Sequence, residues 1–262
     1  MIKIYNTRPS NSYLFTYFHF MFNCLIPEIT NNVYEYKKVY RIKNLHQTIG
    51  NFSKIYEEVT GCENIEIPEE EYEKLDIKMI QLNYANYGDA FNSFKTFIFN
   101  RYSIQPDLSY PEIILIKRDN AQELVNAQEL VNAEELVNNK IISNRIYDTG
   151  KKKREITEIE ILEKYLEETF RVKFKPIILE NMNFKEQIKY FYNAKMIIGC
   201  HGAAFANLVF CKKDTIIIEV MHKNIQHHCI PVFPNISKVV ELKHFQVEDK
   251  IEKIKEKIKE IF

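Results

Sequence analysis

Met196-Ile-Ile-Gly-Cys-His-Gly-Ala-Ala-Phe-Ala-Asn-Leu-Val-Phe210, followed by Thr215-Ile-Ile-Ile-Glu219, is the stretch whose reading decides the fold. Met196 to Gly199 is short and continuously apolar, the pattern of a buried strand. Small residues at 199, 202, 203 and 204 permit a tight turn and close approach of another group to the backbone. Ala203 to Phe210 then reads as a helix and Thr215 to Met221 as the next strand. Strand, turn, helix, strand is the rhythm of a parallel α/β sheet, which binds ligands at the C-terminal ends of its strands.

The same rhythm extends outward. Glu112 to Lys117 reads as a strand, Ile156 to Phe170 as an amphipathic helix, Phe174 to Leu179 as a strand and Phe184 to Ala194 as a helix. Glu248 to Phe262 is charged but carries isoleucine at 251, 254, 258 and 261, a stripe that marks a docking face. We expect this helix to pack back toward the N-terminal half. That half reads as mixed α/β. Ser12 to Leu25 is helical and ended by Pro27, Val33 to Ile42 is strand-like, and Asn51 to Thr60 is a helix capped by Gly61. Ile77 to Leu82 reads as a strand and Ala90 to Tyr102 as a helix, with Pro106 to Pro111 as a linker. The expected division is residues 1–108 and 109–262.

Asn120 to Asn138 reads NAQELV-NAQELV-NAEELV-N. A period of six does not match the helical 3.6, so the Leu-Val pairs rotate around any helix the segment forms. We expect a peripheral excursion that tolerates deletion. The alternative is a lid, because the repeat follows the C-terminal end of a strand.

Composition narrows the class. The chain has 262 residues and 45% hydrophobic content, enough for a sizeable core. Thirty-six basic residues balance thirty-six acidic ones, which argues against a nucleic-acid binder. No stretch reaches the roughly 18 apolar residues of a transmembrane helix. The N-terminal residues show no secretory leader, from which we expect a cytoplasmic protein. The five cysteines contain no CxxC pair and read as free thiols. His222, His227, His228 and Cys229 match no standard zinc spacing, so no metal site is expected.

The turn carries the chemistry. The first amides of a helix lack partners within it, so the 199–204 turn suits a diphosphate. His201 sits in that turn, and Asn207 lies further along the helix. The helix's positive end disfavours a protonated His201, so we expect a neutral ring that donates one hydrogen bond. Glu219, at the end of its strand, is suited to accept bonds from ribose hydroxyls. Arg118, after Ile113-Ile-Leu-Ile-Lys117, is suited to a phosphate, as is Arg154 after three lysines. The bland alternative is that the small residues only allow helix–strand packing.

Several stretches resemble glycosyltransferase family 61. Ile197 to Glu219 is similar to the family's "GxHGAxxxNxxF" segment and the strand ending in Glu. Glu112-Ile-Ile-Leu-Ile-Lys-Arg118 resembles its strand-then-Arg element, and Arg154-Glu-Ile-Thr-Glu158 its "Arg-x-Ile-Asn-Glu" element. Tyr17 to Pro27 resembles its N-terminal "His…Leu-Pro" helix. The resemblance implies an α/β fold of GT-B type, two Rossmann-like domains facing a cleft. It implies inverting transfer from a UDP-sugar to a hydroxyl of a protein or glycan, with no cofactor. Arg118, Arg154, Gly199, His201, Gly202, Ala203, Asn207 and Glu219 would then hold the donor, and His19 would face the cleft. Position 23 is Asn where many relatives carry an acid, and position 157 is Thr where Asn is usual. Inverting transfer needs a base. His19, one helical turn before Asn23, is the first candidate, with Asp89 and Glu28 behind it. The alternatives are an inactive nucleotide-sugar-binding homologue or partner subunit, and another GT-B enzyme such as an epimerase.

Overall fold

The computed structural model describes residues 1–6, 14, 17–44, 47–82, 87–118, 155–222 and 231–262. Within it the chain divides into two units, Met1–Ile104 and Gln105–Phe262. Each is built on a parallel sheet, consistent with Rossmann-like α/β units.

The first unit runs β1 (Ile2–Asn6), α1 (Tyr17–His19), a π-helical turn (Phe20–Leu25), α2 (Ile26–Thr30), β2 (Lys38–Ile42), α3 (Ser53–Thr60), β3 (Glu63–Ile67), α4 (Glu69–Lys74), β4 (Met79–Leu82) and α5 (Tyr87–Tyr102). Its strands lie in the order β3-β2-β1-β4. Ile2, Ile4 and Val39 of the strands are buried, as are Phe20, Met21 and Leu25 of the π turn and Phe91, Phe94 and Ile98 of α5. The helix that begins at Tyr17 does not end before Pro27, as the sequence suggests. It passes through a π turn, with the Ile26 amide bonded to the Met21 carbonyl, and continues as α2 with Pro27 in its first turn. Proline is tolerated there because its missing N–H falls where α-type bonding restarts. The expected strand from Val33 is also shorter. Asn32 adopts a left-handed conformation at φ 58°, Val33–Glu35 forms a 3-10 turn, and only Lys38–Ile42 pairs in the sheet. Gly61 caps α3 at φ 74°, in keeping with its expected role.

The second unit runs β5 (Ile113–Lys117), α6 (Ile159–Phe170), β6 (Phe174–Ile178), α7 (Phe184–Asn193), β7 (Met196–Cys200), a 3-10 segment (Ala203–Phe210), β8 (Ile216–Met221), α8 (Val232–Val239), β9 (Lys243–Glu248) and α9 (Ile251–Ile261). The strand order is β6-β5-β7-β8-β9. One core holds Leu115, Ile198, Cys200, Ile218, Val220 and Val247 with Leu162 and Leu166 of α6 and Ile254 and Ile258 of α9. Ile254 and Ile258 of the α9 stripe are buried in the second unit's own core, with Ile251 and Ile261 packed against it. β9, with Phe245 against that core, supplies the apolar surface the stripe needs. β9 and α8 had no counterpart in the sequence reading, and the repeat at 120–138 lies outside the described residues.

This strand order has a switch point. From β5 the chain steps to β6 on one side, then crosses to β7 and proceeds through β8 to β9 on the other. β5 and β7 lie side by side here, and the crevice at their C-terminal ends is where sheets of this kind bind ligands. Arg118 follows β5 there, and His201 and Gly202 follow β7.

Candidate active site

Arg118 and Gly202 meet in that crevice. A Cβ built on Gly202 would fall on Nη2 of Arg118 and lie 3.1 Å from its Cζ. The absence of a side chain at 202 is what seats the guanidinium. Arg118 is half-buried and has no hydrogen bond among the described residues, so its donors are available to an anion. The first bond of the 3-10 segment runs from the Phe205 amide to the Gly202 carbonyl at 3.0 Å, so the Ala203 and Ala204 amides precede that ladder. Both alanines are part-exposed. Gly199 serves packing: a Cβ there would lie 3.2 Å from Cβ of Ile116 and 3.3 Å from the Phe205 ring.

His201 is joined to Glu219, but not in the arrangement the sequence suggests. β8 continues to Met221, so Glu219 lies inside the strand, paired in register with Gly199 of β7 and Gln246 of β9. Its side chain is fully buried. Oε1 is 2.6 Å from Nδ1 of His201, and Oε2 is 2.9 Å from Nε2 of His244 and 2.8 Å from Nε2 of Gln246. Both oxygens thus accept from side chains of its own unit. Beyond it, Nδ1 of His244 lies 2.7 Å from Oγ of the buried Ser237 on α8. The Phe233 ring, 5.0 Å from that of His201, closes the arrangement from the same helix.

Charge and tautomer follow. Burial, the largest influence, raises the Glu219 carboxyl. The bonds from His201, His244 and Gln246 together outweigh it, and the pKa is held below the ordinary 4.5. An ionised carboxylate only accepts, so His201 donates from Nδ1 and His244 from Nε2. The other ring nitrogen of His201, Nε2, therefore accepts a bond when the ring is neutral and donates one only when the ring is charged. The expected neutral ring that donates one hydrogen bond is compatible with this geometry, its hydrogen going to Glu219.

The remaining residues scatter. Asn207 is fully buried and its amide donates to Oε1 of Gln187 on α7 at 3.2 Å. That bond ties the 3-10 segment to α7. Arg154 lies outside the described residues, as do His227, His228 and Cys229. Thr157, at the Asn position of the family element, bonds both carboxylate oxygens of Asp249 through its amide (2.9 Å) and hydroxyl (2.8 Å). His222 bonds the Glu155 carbonyl at 3.0 Å and Asp249 at 3.1 Å. Among the described residues no cluster of His, Cys, Asp or Glu could hold a metal ion. No helix among them is long and apolar enough to cross a membrane.

In the first unit, Nδ2 of Asn23 lies 3.0 Å from Nδ1 of His19. An amide NH2 group only donates, so neutral His19 carries its hydrogen on Nε2 and presents a donor. Glu28 is fully buried, with its oxygens 2.6 and 2.7 Å from the Arg41 guanidinium and 2.8 Å from the Tyr56 hydroxyl. It is a structural carboxylate and is removed from the candidate bases. Asp89 is exposed in the first turn of α5.

Ser237, His244 and Gln246 escaped the sequence reading, yet a signal was there. His244-Phe-Gln-Val-Glu248 alternates strictly, which marks a half-buried strand with His244 and Gln246 on one face.

Fold and site together define a parallel α/β protein with a glycine-seated arginine and a carboxylate-backed histidine at the switch point of its second sheet. The family model Glycosyltransferase 61 matches residues 17–218. The chain belongs to glycosyltransferase family 61 and is a glycosyltransferase. No curated protein matches it.

Proposed function

We propose that the chain transfers a sugar with inversion from a UDP-sugar to a hydroxyl of a protein or glycan. The observation that carries this reading is the seating of Arg118 on Gly202 beside His201 in the switch-point crevice. The guanidinium and the Ala203 and Ala204 amides bind the diphosphate and stabilise the charge that develops on the leaving UDP. Arg154, where the family's second arginine falls, adds to the same anion site. His201 meets the donor through Nε2. The two units form a GT-B pair in which the first receives the acceptor. Within it Asp89 takes the acceptor proton, since His19 is held as a donor by Asn23.

The test is UDP binding by calorimetry together with turnover of labelled UDP-sugars. Arg118→Ala should weaken UDP binding by about 1.5–3 kcal/mol, the worth of hydrogen bonds to a charged group. Parent-like affinity in that variant places the diphosphate elsewhere. Asp89→Asn should lower turnover at least about a hundredfold with UDP affinity unchanged, in the range of general-base loss. A second reading, a donor-binding homologue without transfer, is favoured by the Asn23–His19 bond, which leaves no base at the family's acidic position. UDP binding with no turnover of any donor or acceptor would establish it.

A further inference from the structure

The line Ser237–His244–Glu219–His201 crosses from α8 through β9 and β8 to the crevice, and two of its members belong to no element described so far as part of the donor site. We propose that Ser237 and His244, with Gln246 beside them, are positioning residues of the transferase: they fix Glu219, which fixes the hydrogen of His201 on Nδ1 and aims Nε2 at the donor. The inference rests on the proposed function for what His201 meets, but its geometry stands separately.

The geometry is directional at every link. Glu219 is fully buried, so each oxygen needs a donor of its own. Oε1 takes its hydrogen from His201 at 2.6 Å, and Oε2 takes two from His244 and Gln246 at 2.9 and 2.8 Å. His244 can supply one only from Nε2. Its Nδ1 is then an acceptor in the neutral ring, and the atom placed there is the Ser237 hydroxyl, which can donate at 2.7 Å. Ser237 is fully buried and the His244 side chain is 6% exposed, so water does not stand in for either partner. Gln246 is more exposed and contributes less. A carboxylate that needed only satisfaction would be served by any donors. Here the donors hold the carboxylate plane so that one oxygen is left to a single partner, the histidine that follows β7 at the switch point. Residues 237, 244 and 246 all fall beyond the matched family span, which ends at 218.

The test uses the full chain with 15N-labelled histidine. Nitrogen chemical shifts report which ring nitrogen of His201 carries hydrogen, read across about pH 5 to 9, with His201→Ala assigning the signal. Calorimetry with UDP runs alongside. In the parent, His201 is expected as the Nδ1–H tautomer. In His244→Phe its shifts should move toward a mixture of tautomers, with the UDP Kd raised roughly tenfold to a hundredfold, as for loss of a hydrogen bond to a charged group. His244→Gln, whose Nε2 can donate to the same oxygen, should restore both. A folded His244→Phe protein with parent tautomer and parent Kd overturns the proposal, as does a folded His244→Gln protein that restores neither. Should His244→Phe fail to fold, Ser237→Ala reads the same property from the far end. It should move the His201 shifts in the same direction, and unchanged shifts overturn the chain. Failure of the parent itself to bind UDP would sink the donor-site reading, while the tautomer result still judges the positioning role.

Discussion

Glu28 and Glu219 are both fully buried carboxylates, one in each unit, and they are satisfied in opposite ways. Glu28 faces Arg41, a permanent cation, in a bidentate pair at 2.6 and 2.7 Å, with Tyr56 and Cys24 filling the rest of its surroundings. Burial pushes the Cys24 thiol and the Tyr56 phenol well above their ordinary values, so both remain protonated donors. Arg41 in turn bonds Asn64 at 2.7 Å, which donates onward to Ser53. Glu219 faces two imidazoles and an amide, none of them a fixed charge, and one imidazole leads to the crevice. A buried carboxylate locked to arginine holds a fold together. One backed by histidine passes its orientation to a group that can meet a ligand.

The comparison can be broken first at Glu28. Arg41→Ala leaves a buried charge unpaired and should cost about 3–5 kcal/mol of stability, read from urea unfolding. A loss near that of an ordinary surface substitution would mean water reaches Glu28. Glu219→Gln should be milder, because the amide still accepts from one histidine. The loss expected is about 1.5–3 kcal/mol, that of hydrogen bonds to a charged group, and it should appear in UDP binding as well as in unfolding. An effect on stability alone would make Glu219 a second Glu28.

Acid sharpens the contrast. The Glu219 carboxyl is held below 4.5 in the native protein, so its ionised form stabilises the fold above that pH. That contribution drains away as pH falls below 4.5 toward the native value. Glu219→Gln should therefore flatten part of the acid limb of the stability curve, and parallel curves would remove Glu219 from acid unfolding. Gly202→Ala should have the smallest effect on stability, since the atom its methyl displaces is the free end of Arg118. Its melting temperature should stay near the parent's while UDP affinity falls about tenfold, the worth of one displaced charged hydrogen bond. Unchanged affinity would show that Arg118 works from another position.

Much of this was legible in the chain. The continuous apolar runs gave β5, β7 and β8, and the glycine and alanine cluster marked the turn at the switch point. What the runs do not encode is strand order, and so the neighbours of Glu219. Read alone, a Glu after three isoleucines is a strand-end ligand. Only with β9 laid alongside does it acquire His244 and Gln246. The π turn was equally hidden, because Pro27 ends an ordinary helix by the usual rules. Ala203 to Phe210 reads as a helix, and its path is 3-10, with Asn207 bonded to Gln187.

The π turn at Phe20–Leu25 amounts to a single-residue insertion carried within a helix. Deleting one residue there would let α1 and α2 join as a regular spiral. Everything before the deletion would then rotate by about 100° and shift by about 1.5 Å relative to α2. Glu28 and its arginine would stay where they are, and His19 would point to a different side of the helix. One codon therefore sets the direction of His19 without touching the ion pair that anchors the same helix.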